Sequence, residues 1–161
     1  MREPLPRTVE HSRSSVVRLM VPTDANFTGA VFGGQILAEV DRVAYVTATR
    51  HAKTNCVTAS FDRVDFIGPV HVGEVVYFDA MLTYVGRTSM EVWVSVRAEP
   101  LTGGKVDLVA EAYVTMVAVN ARGRPTRVPP LRPTTAEERR RFEEGRRRME
   151  NRRKTRATTR A

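Results

Sequence analysis

The stretch QILAEVDRVAYVTATRH, Gln35 to His51, decides the fold. Its residues Ile36, Leu37, Val40, Val43, Ala44 and Thr47 recur at spacings of three and four, which gathers them on one helical face about 120° wide. A helix with one apolar stripe must bury it against another layer, and the downstream sequence supplies that layer. Four segments, 57–66, 74–85, 89–98 and 108–119, read as strands separated by GPVHVG, GRT and a loop containing TGGK. In the third segment Met90, Val92, Val94, Val96 and Ala98 alternate with Glu91, Trp93, Ser95, Arg97 and Glu99, giving one apolar face of period two. Val76, Phe78, Ala80, Leu82 and Tyr84 repeat the pattern on the segment before. Short connections predict antiparallel neighbours. Upstream, residues 14–21 read as a short strand, followed by an ordered, turn-rich loop, PTDANFTGAVFGG. The prediction is an α+β domain of order β-α-β-β-β-β, its antiparallel sheet wrapped around one long central helix.

Past Asn120 the chain runs through ARGRPTRVPPLRP, too rich in proline for regular structure, and then enters a polar helix near Thr135. Thr135 and Glu138 have capping-box spacing. Glu137/Arg141, Glu143/Arg147 and Glu144/Arg148 are spaced for i,i+4 pairing, and Phe142 and Met149 supply a narrow apolar seam. Fraying is expected from about Arg152. The organisation expected is one domain over 1–133 and a basic C-terminal helix and tail over 134–161.

The net charge of +8 is concentrated in that tail. From Thr135 onward there are 11 Lys and Arg against 5 Glu, so the preceding body is nearly neutral. One cysteine, Cys56, excludes an internal disulfide framework, and no Cys/His spacing suggests a metal site. The N-terminal MREPLPRTVEHSR is no apolar leader, and no apolar run reaches the roughly 18 residues of a membrane span. A soluble, cytoplasmic protein is expected.

The polar loop and the helix carry the residues with chemical potential: Asn26, the pair Gly33-Gly34, and Asp41. A helix opening on two glycines presents unobstructed backbone N–H groups and a positive dipole end to developing negative charge. The same pair also reads as a tight entry turn. Asp41 falls at about 140° when Ile36 is set at zero, at the border of the buried stripe. There a carboxylate acts as a general base on water, or sits on the surface beside Arg42. His11, His51 and His71 have no metal or triad spacing and read as surface residues, and Cys56 as a small buried hydrophobe. No serine-hydrolase elbow, Walker loop or dinucleotide glycine pattern is present.

Taken together, DANFTGAVFGGQIL at 24–37, VDRVA at 40–44 and RHAKTNCVTASFD at 50–62 resemble the acyl-CoA hydrolase family of hotdog-fold thioesterases. The likeness continues through FIGPVHVGE at 66–74, GRTSMEV at 86–92, AYV at 112–114 and RRFEEGR at 140–146, so it spans nearly the whole chain. The resemblance implies a hotdog fold, subunits paired so that two sheets run together, and three such pairs in a hexamer. It implies hydrolysis of fatty acyl-CoA, with Asn26 and Asp41 catalytic and contributed from opposite sides of a dimer interface, and the Gly34 amide donating to the oxyanion. Arg87, Thr88 and Ser89 match the segment near the CoA moiety; Gly33, Thr58 and Ser60 are further substrate contacts. No cofactor is implied, coenzyme A being part of substrate and product. Some relatives carry a histidine before the Gly-Gly pair, where this chain has Phe32.

Three rival readings stand beside this one. The arginine-rich tail suggests nucleic-acid binding, against which the body lacks the marks of RRM, KH or helix-turn-helix modules. A non-catalytic acyl-CoA-binding hotdog protein is opposed by retention of both Asn26 and Asp41. Dehydration of an acyl thioester would need a histidine near the helix start.

Overall fold

The computed structural model describes residues 4–159, with side chains through Thr155. In chain order the elements are β1 (Arg7–Thr8), β2 (Ser14–Leu19), a 3-10 turn (Pro22–Asp24), α1 (Gly33–Ala52), β3 (Cys56–Phe66), β4 (Glu74–Val85), β5 (Ser89–Pro100), β6 (Asp107–Ala118), β7 (Leu131–Arg132) and α2 (Ala136–Thr159). Strands β2 to β6 form one antiparallel sheet in the order β2-β4-β5-β6-β3, and β1 and β7 make a small parallel ladder. The expected hotdog architecture is present: a curled sheet closed on one face by α1.

The period-two reading explains the core. Phe78, Val92, Val94, Val96 and Val114 on the inner face, and Val43, Ala44 and Ala48 on α1, have no exposed surface. Thr47 is equally buried because its hydroxyl donates to the Val43 carbonyl, 2.9 Å away, and so needs no water. α1 ends at Lys53, whose left-handed backbone (φ 57°) turns its N–H onto the Thr49 carbonyl at 2.8 Å.

The structure departs from the expected pattern in five places, the first being that the proline-rich stretch before α2 supplies β7, which pairs with β1 through Arg7 with Leu131 and Thr8 with Arg132. Register shifts between Leu82 and Tyr84 on the β4–β5 ladder turn Tyr84 off the inner face, where it meets Phe142 with ring centroids 5.1 Å apart. His51 is fully buried, not a surface residue. At 100° per residue it lies about 60° from Ile36, inside the apolar stripe. Its Nε2–H donates to the Pro129 carbonyl oxygen at 2.8 Å, and burial pushes its pKa down. The pairs Glu143/Arg147 and Glu144/Arg148 do not form: Glu143 and Glu144 hold Arg146 and Arg140, while Arg148 turns to the sheet. Finally, α2 does not fray at Arg152 but continues to Thr159.

α2 begins as expected, with the Thr135 hydroxyl accepting from the Glu138 N–H and the Glu138 carboxylate accepting from the Thr135 N–H. It packs on the outer face of the sheet through Phe142, Gly145 and Met149. Arg148 reaches a fully buried Glu91 on β5, Nη2 to Oε1 2.8 Å and Nε to Oε2 3.0 Å. Arg141 and Arg148 lie over the rings of Trp93 and Tyr113, at 4.1 and 4.2 Å. Five arginines of α2, Arg140, Arg141, Arg146, Arg148 and Arg152, thus pair with carboxylates of the helix itself or of the sheet.

Candidate active site

The loop before α1 is held from three directions. The Val31 N–H donates to the Val70 carbonyl at 2.8 Å, the Phe32 N–H to the Asp24 carbonyl at 2.9 Å, and the Asn26 N–H to the Ala30 carbonyl at 2.7 Å. Gly29 closes the turn with φ 83°, a backbone that side chains resist. Inside it the Asn26 side-chain carbonyl accepts from the Thr28 N–H and hydroxyl, at 2.9 and 2.7 Å, which leaves the amide NH₂ as the free donor end. Phe27, next to it, is fully exposed.

Beneath the loop lies a charged clamp. Arg18 on β2 spans two buried carboxylates, Asp24 at 2.7 Å and Glu39 at 2.6 Å, and Arg42 reaches Glu39 at 2.5 Å. Asp24 precedes Asn26 by two residues and Glu39 precedes Asp41 by two, so a single guanidinium ties the asparagine loop to the aspartate helix. The sequence carried a sign of this, because Glu39 falls at about −60° when Ile36 is set at zero, at the border of the stripe opposite Asp41. A charge placed there requires a partner.

Asp41 sits on the third turn of α1, half-buried, its Oδ1 accepting from the Thr58 hydroxyl at 2.5 Å. Leu37, one turn earlier, is likewise only half-buried, so this edge of the apolar stripe stays open. Thr58 lies on β3, a strand of eleven residues at the edge of the sheet, whose one ladder among the described residues is to β6. Among the described residues Asn26 and Asp41 do not touch.

The glycines divide in role. A Cβ at Gly33 would stand 3.2 Å from the Phe66 ring, so that residue is small for packing. Gly34 has neither a left-handed backbone nor a crowded Cβ, and it is exposed. The entry-turn reading therefore does not account for it. Phe32 caps α1 without a side-chain bond, and the Gly34 N–H has no partner among the described residues, leaving a donor aimed outward at the positive end of a 20-residue helix.

Thr58 and Ser60 part company. Register shifts on the β3–β6 ladder between them place Thr58 opposite Met116, on the inner face, and Ser60 opposite Thr115, on the outer. Ser60 donates to Asp62 at 2.7 Å, and Asp62 in turn holds Thr115 and Arg152 of α2. So Thr58 is the aspartate's partner, a role the sequence did not reveal, while Ser60 belongs to the α2 side. Gly86 to Ser89 form the tight β4–β5 turn, the Gly86 N–H donating to the Ser89 carbonyl at 2.8 Å. Cys56 is buried, and that burial raises its thiol pKa, as suits a small residue of the core. Among the described residues no group of His, Cys, Asp and Glu is placed to hold a metal.

A sheet curled around one helix, with a tethered carboxylate on the open edge of that helix, defines the hotdog thioesterase class, and the family model of the Thioesterase superfamily matches residues 28–105. The chain is 40% identical over 144 residues to the cytosolic acyl coenzyme A thioester hydrolase of Rattus norvegicus, covering 88% of this chain and 38% of that protein. It thus spans well under half the length of that relative. The crystal structure of an apo-hexameric acyl-CoA thioesterase superposes with a TM-score of 0.90 at 43% identity, covering 95% of this chain and 98% of the other. The Staphylococcus aureus acyl-CoA hydrolase, solved with butyryl coenzyme A and coenzyme A, superposes with a TM-score of 0.88 at 34% identity, covering 96% and 94%. Variants of that enzyme with an asparagine, an aspartate and a threonine each replaced by alanine have also been solved. The chain belongs to the acyl-CoA thioester hydrolase family.

Proposed function

We propose that this protein hydrolyses fatty acyl-CoA to the free acid and coenzyme A, with Asp41 as the base. The observation that carries the proposal is the half-buried Asp41 carboxylate, fixed by Thr58 at 2.5 Å on an otherwise apolar helix edge that the single chain leaves open. The asparagine, aspartate and threonine replaced in the Staphylococcus aureus enzyme are spaced by fifteen and seventeen residues, the spacings of Asn26, Asp41 and Thr58 here.

In this reading Asp41 removes a proton from water as it attacks the thioester carbonyl, and the Thr58 hydroxyl, donating to Oδ1, fixes the carboxylate's orientation. The Asn26 amide of the partner subunit orients water or thioester, and the Gly34 N–H receives the developing oxyanion. The thiolate of coenzyme A leaves. Direct attack by Asp41, through an anhydride, is the alternative; oxygen-18 entering Asp41 during a single turnover in labelled water would exclude the pure general-base route.

The same proposal makes the enzyme a homodimer joined along β3, three pairs forming a hexamer. The support is the open backbone edge of β3, the exposure of Val57, Phe61 and Phe66 along it, and the hexameric state of the solved relative. A cytoplasmic setting is supported by the name of the rat relative, and among the described residues no helix is long and apolar enough to cross a membrane.

The test is thiol release from acyl-CoAs of acetyl to palmitoyl length by wild type, Asp41→Ala and Asn26→Ala. Turnover by wild type and a loss of roughly 10²-fold or more in a folded Asp41→Ala protein is the expected result. Absence of hydrolysis across the panel, or an undiminished Asp41→Ala rate, sinks the proposal.

A further inference from the structure

Helix α1 is gripped from both edges of the sheet. The strand order β2-β4-β5-β6-β3 puts β2 and β3 at opposite margins, and each sends a side chain to the helix. From β2, Arg18 Nη1 takes Glu39 at 2.6 Å; from β3, the Thr58 hydroxyl takes Asp41 at 2.5 Å. Glu39 and Asp41 are two residues apart, hence about 200° apart around the helix. Holding Glu39 toward β2 therefore turns Asp41 toward β3, so the guanidinium sets the rotation of Asp41 from the opposite face of the helix.

The other nitrogen of the same guanidinium, Nη2, takes Asp24 at 2.7 Å. Asp24 is the buried last residue of the 3-10 turn, and it ties three elements together. Its Oδ1 accepts from Arg18, its Oδ2 from the Val21 N–H at 2.9 Å, and its carbonyl from the Phe32 N–H at 2.9 Å. Arg18 thus fixes the start of the loop that carries Asn26 and, through Phe32, the residue before the Gly33-Gly34 entry to α1. Arg42 reaches Glu39 from within the helix, so the side-chain tie between loop and helix is Arg18.

Asn26 and Asp41 of one chain do not touch, and in the reading proposed above they serve different sites, Asp41 its own and Asn26 that of the partner subunit. From this arrangement we infer that Arg18 is a positioning residue for both active sites of a dimer at once, setting the base of one and the asparagine of the other. This rests on the shared-site reading and deepens it, because a single ion cluster then links two centres of reaction. Arg18 acts through the backbone that carries Asn26 and Asp41, so its loss degrades alignment in the transition state and leaves substrate binding nearly unchanged. Misplacement by about 1 Å costs up to roughly 10²-fold in rate. Lysine at position 18 keeps the charge but offers one nitrogen where the guanidinium offers two.

The experiment compares wild type with Arg18→Lys in the thiol-release assay, with Arg13→Lys, at an exposed pair just before β2, as the control. For assembled Arg18→Lys, kcat should fall roughly tenfold or more with KM within a factor of two, and Arg13→Lys should match wild type. Each variant is then co-expressed with wild type in equal amounts, and mixed dimers are counted by native mass spectrometry. An Asp41→Ala subunit spoils one site of a mixed dimer, so about half the wild-type rate should remain; an Arg18→Lys subunit spoils both, leaving about a quarter. Full activity of Arg18→Lys, or a half-rate in its mixture, overturns the inference. Should Arg18→Lys fail to assemble, the triple variant Arg18→Met/Asp24→Asn/Glu39→Gln, which strands no charge, carries the same measurements with the same outcomes. Asp41→Ala mixed equally with Asn26→Ala tests the reading beneath: each mixed dimer regains one intact site, and about a quarter of the wild-type rate should return. No recovery with mixed dimers present counts against the shared site itself, whereas recovery beside a half-rate for Arg18→Lys counts against Arg18 alone.

Discussion

Replacing Arg148 by leucine should loosen α2 from the sheet, and the structure sets the scale of the effect. Glu91 has a side chain with no exposed surface, and its carboxylate receives both Arg148 nitrogens and the Thr83 hydroxyl at 2.6 Å. Removing the guanidinium leaves that charge with one hydroxyl, and breaking one side of a buried ion pair costs about 3–5 kcal/mol. Arg148 is itself one-third exposed, so the lower end applies. Loss of its contact with the Tyr113 ring adds a smaller term. About 3 kcal/mol in a chain of this size lowers Tm by roughly 6–12 °C. Urea unfolding at fixed protomer concentration, followed by the fluorescence of the one tryptophan, Trp93, under Arg141, measures it. The double variant Glu91→Leu/Arg148→Leu should regain most of the loss, because it removes the stranded charge and the Thr83 hydroxyl retains the Glu91 backbone carbonyl at 3.3 Å. A loss below about 1 kcal/mol, or effects that simply add, would refute a buried anchor.

Further tests follow from single contacts. Gly145→Ala should destabilise by about 1–3 kcal/mol in unfolding measurements, although helix propensity alone predicts a gain of roughly 1 kcal/mol; the added Cβ would lie 2.8 Å from both Glu91 Oε1 and Tyr84 Cβ. His51, its pKa lowered by burial, takes up a proton more readily in the unfolded chain. Stability conferred by its neutral form should be full above the unfolded value of about 6.5 and fall as pH drops below it, by at most about 1.4 kcal/mol per pH unit. Denaturation series at pH 7 and 5 should show this slope in wild type and a weaker one in His51→Phe. Thr58→Val, which keeps shape but removes the hydroxyl bonded to Asp41, should lower kcat roughly tenfold with little change in KM in the thiol-release assay.

Much of the fold was legible because it obeys two periods. The residues at three-and-four spacing from Ile36 to Thr47 and the apolar positions from Met90 to Ala98 are buried as read, apart from half-buried Leu37, while Glu91 and Ser95 on the other face of β5 are buried as well because α2 covers that face. What escaped were the places where a local irregularity or a distant partner overrides the period. A register shift turned Tyr84 outward and another set Ser60 against Thr58, and strand periodicity carries no signal for an inserted residue. His51 was misread because it was weighed as a chemical group, not as a position on a wheel that already placed it inside. The helix pairs failed for a different reason. Arg148 turns to the fully desolvated Glu91, which has the greater need of a guanidinium, and leaves the half-buried Glu144 to Arg140. Asn26, Gly34 and Asp41 could be named from sequence, but their partners Thr58 and Arg18 come from other strands, so only the folded chain discloses them.

The geometry also explains why one chain would be insufficient for the proposed reaction. Arg18 fixes the asparagine loop and the aspartate helix relative to each other, yet Asn26 and Asp41 do not touch within the subunit. Phe27 beside Asn26 is fully exposed, Leu37 beside Asp41 is half-buried, and β3, which carries Thr58, is an unpaired edge with Val57, Phe61 and Phe66 on its surface. Each feature that would be costly in a monomer lies next to a residue of the proposed chemistry. A clamp that makes two half-sites rigid is useless if each half must find its complement in its own chain, and useful if a second copy supplies it in register. On this argument the cost of exposing the β3 edge is offset on assembly, when the same apolar surface excludes water from around Asp41 and brings the partner's amide to the thioester.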